Sequence, residues 1–364
     1  MKRYHICVYA ICKNESKFVD RWMDSMSEAD RVVVLDTGST DDTVEKLRRR
    51  GAEVSVEVIS PWRFDVARNR SLELVPENTD ICVCTDLDEV FHPGWREKLE
   101  AAWAEGVSLA NYRYTWNFQP DGREGYVFWI EKIHAHRGFR WTHPVHEVLT
   151  WVGPGQQGRT VWVEGMQLDH HADPSKSRGQ YLPLLELSVK EDPQDDRNMH
   201  YLGREYLYRG RWDDCIATLK RHLEMPSALW KDERSASMRF IAKSYAQKGE
   251  PETARDWYLR AITEAPHLRE GYTDLSRLLY EQGEWEGVLY FTACALAISE
   301  RPRSYICEAD SWGSLPHDLR AIAYYQTGRI QQALEEARRA LECSPTDLRL
   351  KGNVTALEKL CGRE

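Results

Sequence analysis

The sequence contains no apolar run that approaches the roughly 20 residues a membrane-spanning helix requires. Its first residues, Met1-Lys2-Arg3-Tyr4-His5, lead directly into a short strand-like stretch, without the apolar segment that a signal peptide contains. Both absences argue against stable membrane insertion, and they predict a cytoplasmic protein.

An excess of positive charge is also absent, because the formal net charge is −9 over 364 residues. Proteins that bind duplex nucleic acid normally carry a basic surface that neutralises phosphates. The charge therefore disfavours nucleic acid as a partner without ruling it out.

Paired cysteine motifs are missing as well. Nine cysteines are scattered along the chain. Cys82 and Cys84 form a Cys-x-Cys, but they lie in an apolar strand-like segment and no second pair follows at the spacing of a zinc site. We expect reduced, mostly buried thiols, which assign no function.

What the sequence does contain is two halves of different periodicity. Up to about residue 170, apolar strand-like segments alternate with segments of helical spacing. The strand-like segments are 4–12, 31–35, 53–59 and 80–84, the helical ones include 40–50 and 64–74, and further strands rich in aromatic and β-branched residues follow at 107–116, 126–134 and 160–168. This alternation predicts an α/β domain with a mostly parallel sheet.

From about residue 176 onward the pattern is helical and repetitive. The repeat aligns on Gly210, Gly249, Gly283 and Gly328, and small residues recur at matching offsets, namely Ala242, Ala254 and Ala261 in one unit and Ala321, Ala333 and Ala340 in another. The pattern resembles the tetratricopeptide repeat, in which small residues let paired helices approach closely. Three to four repeats would bury a continuous core, and an unrelated helical bundle is the alternative. The predicted domains are 1–175 and 176–364.

Four polar motifs of the first half fit one another. They are Lys13-Asn14-Glu15 after the first strand, residues 35–43 (LDTGSTDDT) at the end of the second, Asp65 with Ala67-Arg68-Asn69, and Asp86-Leu87-Asp88-Glu89 after the fourth strand. In open α/β sheets, ligands bind outside the carboxyl ends of the strands, so three of these motifs are expected to converge on one place.

The chemistry of the motifs is complementary. The Asp36 carboxylate can accept hydrogen bonds from a base, and Gly38 lets the backbone approach a ligand. Arg68 can bind diphosphate oxygens in a forked geometry, and Asp86 and Asp88 offer hard oxygen ligands for Mg²⁺ or Mn²⁺. Each motif alone has an ordinary explanation, such as a helix N-cap or a solvated turn. Their joint order favours binding of a nucleoside diphosphate.

The order of the four motifs resembles the family 2 glycosyltransferases with the GT-A fold. The chain is most similar to members with a tetratricopeptide tail, including the S-glycosyltransferases that modify bacteriocin peptides. The likeness covers residues 5–100 and extends more loosely to about 175. It implies a bacterial or phage enzyme with a Rossmann-like mixed sheet, inversion at the anomeric carbon, a UDP-sugar or similar donor, and Mn²⁺ or Mg²⁺. Many relatives have two acidic residues where this chain has Asp36-Thr37, a departure that also occurs in the branch with Lys-Asn-Glu.

The resemblance also implies roles for individual residues. Asp36 would contact the base, Arg68 would lie near the diphosphate, Asp86 would bind the ribose or the metal, and Asp88 would be the principal metal ligand. The complete nucleotide-sugar site is expected to comprise Cys12, Asn14, Glu15, Asp36, Gly38, Asp65, Arg68, Asp86 and Leu87.

An inverting transfer requires a base that takes the proton of the acceptor. Within His143-Pro144-Val145-His146-Glu147 we expect Glu147 to be this base, with His146 orienting it or touching the metal. A buried His–Glu pair that holds a loop is the alternative. Of His170 and His171, which close the domain, His171 is expected to complete the metal shell, and a linker role is the alternative.

Other site chemistries fit less well. A zinc site made of His134, His136, His143 and His146 would lack both a His-Glu-x-x-His arrangement and a cysteine pair. A nucleotidyltransferase would be expected to have a glycine-rich phosphate loop after the first strand, where this chain has no glycine.

The helical half is expected to recruit the acceptor, to form a homodimer, or both. A concave repeat surface suits an extended peptide, so a peptide or protein side chain is the favoured acceptor. A surface saccharide or lipid and a hydroxylated DNA base are alternatives. A non-catalytic scaffold is the alternative from another class, and it would gain nothing from clustered buried charge.

Overall fold

The structure, a computed structural model, describes residues 4–119, 121–174, 176 and 179–362. The chain forms two compact units, Met1–Ser188 and Val189–Glu364. The predicted boundary between residues 175 and 176 adjoins positions outside the described residues and stays a prediction. In the described ranges every helix is too short or too polar to cross a bilayer.

The first unit is built on a mixed eight-stranded sheet with a separate two-stranded hairpin. In chain order the strands are β1 (Ile6–Cys12), β2 (Arg31–Asp36), β3 (Glu53–Val56), β4 (Ile81–Thr85), β5 (Glu89–Phe91), β6 (Val107–Thr115), β7 (Val127–Ala135), β8 (Phe139–Thr142), β9 (Val148–Trp151) and β10 (Arg159–His170). The order in the large sheet is β3-β2-β1-β4-β7-β6-β10-β5, and β8 pairs with β9.

Strands β1 to β4 are mutually parallel where they pair, and this half of the sheet matches the predicted strand–helix alternation. β7 then runs antiparallel to both of its neighbours, β4 and β6. β10 is parallel to β6 and antiparallel to β5. The mixed sheet expected from the resemblance is confirmed.

The central position of β1 follows from its sequence, because all seven of its residues are buried. Successive side chains of a strand point to opposite faces, so a strand without polar residues needs cover on both faces. Ile6, Val8 and Ala10 pack in one core cluster with Trp22, whereas Cys7 and Tyr9 pack in another with Trp141. The helices of this unit are α1 (Val19–Ser25), α2 (Thr43–Arg49), α3 (Phe64–Leu72) and α4 (Trp95–Ala102).

The remaining helices follow from α5 (Tyr181–Glu191), which contains the division point between the units. They are α6 (Asp196–Tyr208), α7 (Trp212–Glu224), α8 (Lys231–Gln247), α9 (Pro251–Glu264), α10 (Arg269–Gln282), α11 (Trp285–Ala297), α12 (Ala309–Trp312), α13 (Leu315–Gln326), α14 (Ile330–Cys343) and α15 (Leu348–Cys361). The second unit is therefore all-α, as predicted.

The four aligned glycines mark the turns of four helix pairs, α6–α7, α8–α9, α10–α11 and α13–α14. Each glycine follows the first helix of its pair and has a φ between 68° and 79°, a conformation that side chains with a Cβ rarely adopt. The aligned alanines Ala254, Ala261, Ala333 and Ala340 are all 0% exposed. The repeat alignment is thus confirmed at the level of individual turns and helix contacts.

Candidate active site

The loops that follow β1, β2 and β4 meet at one edge of the sheet. These three strands are adjacent and parallel, in the order β2-β1-β4, so their carboxyl ends lie side by side. Glu15, Asp36, Asp86 and Asp88 all follow or end these strands. The fold therefore provides the crevice in which α/β sheets bind their ligands.

The Asp36 carboxylate, fully buried at the end of β2, shapes the loop that follows it. Its Oδ1 accepts hydrogen bonds from the backbone N–H groups of Gly38 (3.0 Å) and Ser39 (2.9 Å), and its Oδ2 accepts from the Ser39 hydroxyl. Gly38 has a φ of +105°, and a Cβ there would lie 3.2 Å from Val58 Cγ2. Asp36 and Gly38 together hold this turn in one shape.

Asn14 ties the loop after β1 to the loop after β2. Its backbone N–H donates to Ser39 Oγ (2.8 Å), and its Oδ1 accepts from the Thr40 N–H (2.7 Å). Asn14 itself has a φ of 54°, a left-handed conformation that asparagine tolerates better than most residues. The two loops consequently form one connected wall of the crevice.

Glu15 is a buried carboxyl group in an acidic environment. Its N–H donates to Thr43 Oγ1 (2.8 Å), its Oε1 forms an ion pair with Lys176, and its Oε2 has no hydrogen-bond partner among the described residues. Burial raises the pKa of Glu15 to about 7; Lys176 opposes this shift, and the charges of Asp88 and Asp86 add to it. The negative charge that collects here is of the kind that a bound cation offsets.

Arg68 joins two of the predicted site residues. It is 3% exposed, its Nε donates to Glu147 Oε1 (2.9 Å), and its Nη2 donates to Asp86 Oδ1 (2.7 Å) and Oδ2 (3.0 Å). Burial alone would raise the pKa of Asp86, but the adjacent Arg68 and Lys132 outweigh it, so this pKa lies below its usual range. The Arg68 guanidinium thus binds both Asp86, the predicted ribose or metal ligand, and Glu147, the predicted base.

Lys132 on β7 is a site residue that the sequence analysis missed. Its Nζ lies 3.1 Å from Asp86 Oδ2 and 2.8 Å from Glu89 Oε1. Glu89 is itself 1% exposed and accepts hydrogen bonds from Tyr114 OH (2.7 Å) and from the Asp86 N–H (2.9 Å). The one available signal was a Glu-Lys pair inside the otherwise largely apolar segment VFWIEKIHA.

Asp88 contacts both histidines at the end of β10, in different ways. Its backbone carbonyl accepts from the His171 N–H (2.8 Å), whereas the His170 ring places Nε2 3.4 Å from Asp88 Oδ2. The His170 ring is oriented by a contact of Nδ1 with Trp116 O (2.8 Å), and the His171 ring stacks on Phe118. The imidazole that faces the Asp88 carboxylate is therefore that of His170, although the sequence analysis selected His171.

The segment that carries Glu147 has an unusual backbone. His143 and His146 have φ values of 76° and 52°, which are uncommon outside glycine and cost about 1–3 kcal/mol each. The Phe64 N–H donates to Pro144 O (2.9 Å), and the His146 ring lies 5.7 Å from the ring of Tyr181. Such strained positions cluster at functional sites, where the surrounding structure holds them in place.

The other predicted residues of the first unit occupy supporting positions. Asp65 forms an ion pair with Arg63 in the first turn of α3, and Cys12 and Leu87 are buried. The Asn69 side chain forms two hydrogen bonds with the backbone of Trp141. Its Nδ2 donates to the Trp141 carbonyl (2.8 Å), and its Oδ1 accepts from the Trp141 N–H (2.9 Å). Asn69 therefore fixes the β8–β9 hairpin, which the sequence analysis did not foresee.

The four-histidine zinc site has no counterpart in the part of the chain that the structure describes. His134 is a core residue, with Nε2 2.7 Å from Tyr9 OH and Nδ1 2.8 Å from Ala135 O. Within the described ranges, no three of the four histidines bring their ligand atoms within 4.8 Å of one another.

Two family models match this chain. Residues 7–150 match the model described as glycosyl transferase family 2, and residues 202–268 match a tetratricopeptide repeat model. The first unit carries a family 2 glycosyltransferase domain. The β1, β2 and β4 loops and the Arg68 cluster all lie within the matched range of this glycosyltransferase domain.

Parts of the chain are also similar to individual proteins. An uncharacterized glycosyltransferase of Rickettsia conorii is 35% identical over 100 residues, which cover 27% of this chain and 34% of that protein. The alignment thus spans about a third of the relative's length. Among solved structures, MamA has a TM-score of 0.36 at 18% identity, covering 45% of this chain and 81% of MamA. A tetratricopeptide protein of Thermus thermophilus has a TM-score of 0.36 at 20% identity, covering 48% and 88%.

Proposed function

We propose that the glycosyltransferase domain moves a sugar, with inversion, from a nucleoside diphosphate donor of the UDP-sugar type to a nucleophile on an acceptor. The observation that carries the proposal is the Arg68 clamp, in which one buried guanidinium holds Asp86 at the end of β4 and Glu147 from the β8–β9 hairpin. The clamp joins the place where a donor would bind to the group that would activate an acceptor.

The donor nucleotide would lie against the wall formed by the Asn14 and Asp36 loops. The resemblance assigns the contact with the base to Asp36, but both oxygens of this buried carboxylate already accept hydrogen bonds from Gly38 and Ser39. We therefore propose that Asp36 keeps the turn rigid and that backbone groups of the turn meet the base. Arg68 already donates to two carboxylates, and it would approach the diphosphate as part of that cluster. Cys12, Asp65 and Leu87 would line or support the same wall.

The residues around Asp88 fit a divalent cation. Asp88 offers a carboxylate, His170 offers Nε2 at 3.4 Å from it, and the unpartnered oxygen of Glu15 lies in the same acidic environment. Asp86 is already neutralised by Arg68 and Lys132, so Asp88 is the better principal ligand, with His170 or His171 as the nitrogen ligand. When bound, Mn²⁺ or Mg²⁺ would stabilise the charge on the departing nucleoside diphosphate.

Glu147 would act as the base. Arg68 holds Oε1, so that Oε2 can accept the proton of the attacking nucleophile while the bond between the anomeric carbon and the diphosphate breaks. Both electrons of that bond leave with the nucleoside diphosphate, and the sugar ends on the acceptor with inverted configuration. His146, held in its left-handed conformation beside Glu147, would position this carboxylate.

The tetratricopeptide unit would supply acceptor recognition, because such repeats offer extended surfaces for protein ligands. A peptide or protein side chain is therefore the acceptor we favour, over a surface saccharide or lipid and over a hydroxylated DNA base. Self-association through the repeats would give a homodimer.

The test is release of nucleoside diphosphate from a panel of UDP-, GDP- and TDP-sugars with Mn²⁺. We expect one donor class to be hydrolysed slowly, the reaction to stop on addition of EDTA, and Asp88→Asn to lower the rate about 100-fold or more, roughly 3 kcal/mol. Asp213→Asn, on the exposed side of α7, is the control and should leave the rate unchanged. A folded protein that neither binds nor hydrolyses any donor would overturn the proposal and leave a repeat scaffold.

A further inference from the structure

A polar cluster lies inside the helical unit, independent of the candidate active site. Asp196 on α6, His222 on α7 and Glu233 on α8 each offer one ligand atom, and these atoms all lie within 4.8 Å of one another. His222 is 0% exposed and Glu233 is 4% exposed. Across the described ranges of the chain, this is the single group of three His, Cys, Asp or Glu residues with that spacing.

The His222 ring carries a buried nitrogen, Nε2, that lies within ion-pair distance of Glu233 but forms no hydrogen bond with the described residues. The distance from this Nε2 to Glu233 Oε1 is 3.4 Å. A buried polar atom left unpaired costs about 1–3 kcal/mol, so it requires an explanation. Two ligands of a tetrahedral zinc ion, each about 2.0–2.1 Å from the metal, lie roughly 3.3 Å apart. The His222–Glu233 distance matches that separation.

Surrounding groups orient both ligands. Ser237 Oγ lies 3.0 Å from His222 Nδ1 and 2.8 Å from His200 Nδ1. A hydroxyl has one proton, so if Ser237 donates to His200, His222 must donate to Ser237 through Nδ1–H, which leaves a lone pair on Nε2. Tyr305 OH donates to Glu233 Oε2 and leaves Oε1 facing the His222 ring. Outer contacts of this kind typically fix metal ligands.

We propose that Asp196, His222 and Glu233 bind a divalent transition metal of the zinc class. Two carboxylates and a neutral imidazole balance the charge of such an ion, and water would fill the remaining position. Asp196 is partly exposed in the first turn of α6, so it gives the ion access from solvent and can rotate onto it. The ion links α6, α7 and α8, and through Tyr305 it steadies the segment that precedes α12.

The test uses the full-length, metal-free protein without nucleotide, titrated with ZnCl₂ in a calorimeter and with CoCl₂ in an absorption spectrometer. We expect one zinc ion per chain at this site and a Co²⁺ spectrum that reports nitrogen ligation. Asp196→Asn and His222→Gln should weaken this binding at least about 100-fold, and Ser237→Ala should weaken it about 10–100-fold. The matched control is His267→Gln, because His267 forms an exposed pair with Asp232 (2.9 Å) and should not affect binding.

Two results would overturn the proposal. One is a folded wild-type protein that binds no zinc. The other is zinc binding that survives unchanged in both Asp196→Asn and His222→Gln. Should the buried substitution prevent folding, Asp196→Asn decides alone, because its side chain is partly exposed. Asp88→Asn must retain the binding, which separates this site from any metal at the candidate active site.

Discussion

Each unit of this protein buries an arginine between two carboxylates. In the first unit Arg68 bridges Asp86 and Glu147, and in the second Arg239 bridges Asp274 (2.8 Å) and Glu308 (2.5 Å). The arginines are 3% and 1% exposed. For both, burial lowers the pKa and the carboxylates more than compensate, so that the guanidinium stays charged.

The backbone around the two clusters differs. In the described ranges the non-glycine residues with positive φ are Asn14, His143 and His146, all in the first unit. The positive φ values of the second unit occur at the turn glycines. Strained backbone persists where a ligand site requires it, whereas a cluster that only holds helices together forms on regular backbone. Under the proposed function, the buried arginine of the first unit serves ligand binding, whereas that of the second unit joins α8 to α10.

The sharpest test of this difference compares Glu147→Gln with Glu308→Gln. Each substitution replaces a carboxylate that pairs with a buried arginine by a neutral amide. Glu147→Gln should lower the rate of donor hydrolysis by about 10²–10⁴-fold, because the proposed base is lost. Glu308→Gln should destabilise the helical unit and leave the rate unchanged at a temperature where the protein is folded. Equal effects of the two variants on the rate would contradict the assignment of Glu147.

Removing the arginines tests what the two clusters share, namely a buried guanidinium that pairs with two carboxylates. Arg68→Met leaves Asp86 with Lys132 alone, and Arg239→Met leaves Asp274 and Glu308 with Lys243 alone. Breaking a buried ion pair typically costs about 3–5 kcal/mol, and because a lysine remains in each cluster we expect a loss near the lower end of that range. Chemical denaturation of each variant and of the wild type would measure this loss as a change in the free energy of unfolding. A change below about 1 kcal/mol at either position would show that water or a neighbouring cation replaces the guanidinium there.

Much of the fold could be predicted from periodicity. The long apolar strands, the helices after β2 and β3 and the repeat glycines all have local signals, because burial of one face imposes a period on the sequence. Strands β5, β8 and β9 have only three or four residues each, and they lack the longer alternating segment, 53–59, that made the equally short β3 predictable. The position of β5 follows from its pairing with the distant β10, and β8 and β9 pair with each other in a hairpin.

The residues of the candidate site also divide into those with a local sequence signal and those without one. Asp36, Asp86 and Asp88 could be found because each ends or directly follows a strand. Lys132 could not, since it reaches Asp86 only through the antiparallel pairing of β7 with β4. The choice between His170 and His171 also depends on pairing. His170 is paired with Glu89, and the alternation along β10 turns its ring, and not that of His171, towards Asp88.

Each unit also buries an uncharged histidine, which predicts sensitivity to acid. Burial lowers the pKa of His134 to about 4 and that of His200 to about 3, from an ordinary value near 6.5. Above pH 6.5, the contribution of the buried, neutral His134 to the free energy of unfolding is complete. As the pH falls from 6.5 towards 4, the unfolded chain takes up a proton that folded His134 does not. The free energy of unfolding should therefore drop by about 3 kcal/mol from this residue.

The measurement is the free energy of unfolding between pH 7 and pH 4 for the wild type and for His134→Gln. The glutamine cannot titrate, so the variant should lose less stability across this range although it starts from a lower value. Parallel pH profiles for the two proteins would show that His134 takes up its proton in the folded state.

The smallest expected difference concerns two aspartates that precede helices. Asp347 caps α15 through its side chain, which accepts from the N–H groups of Arg349 (2.8 Å) and Leu350 (3.1 Å). Asp42 occupies the corresponding position before α2 but makes no capping hydrogen bond, and its carboxylate contacts Ser16 and Lys46 instead. Asp347→Ala should lower the free energy of unfolding of the second unit by about 1 kcal/mol, because the first N–H groups of α15 lose the side-chain oxygen that accepts from them. Thermal denaturation would measure this loss. Asp42→Ala should lower the melting temperature of its unit by less. A larger effect at Asp42 would mean that its contact with Ser16, which joins the loops after β1 and β2, stabilises the first unit more than a helix cap does the second.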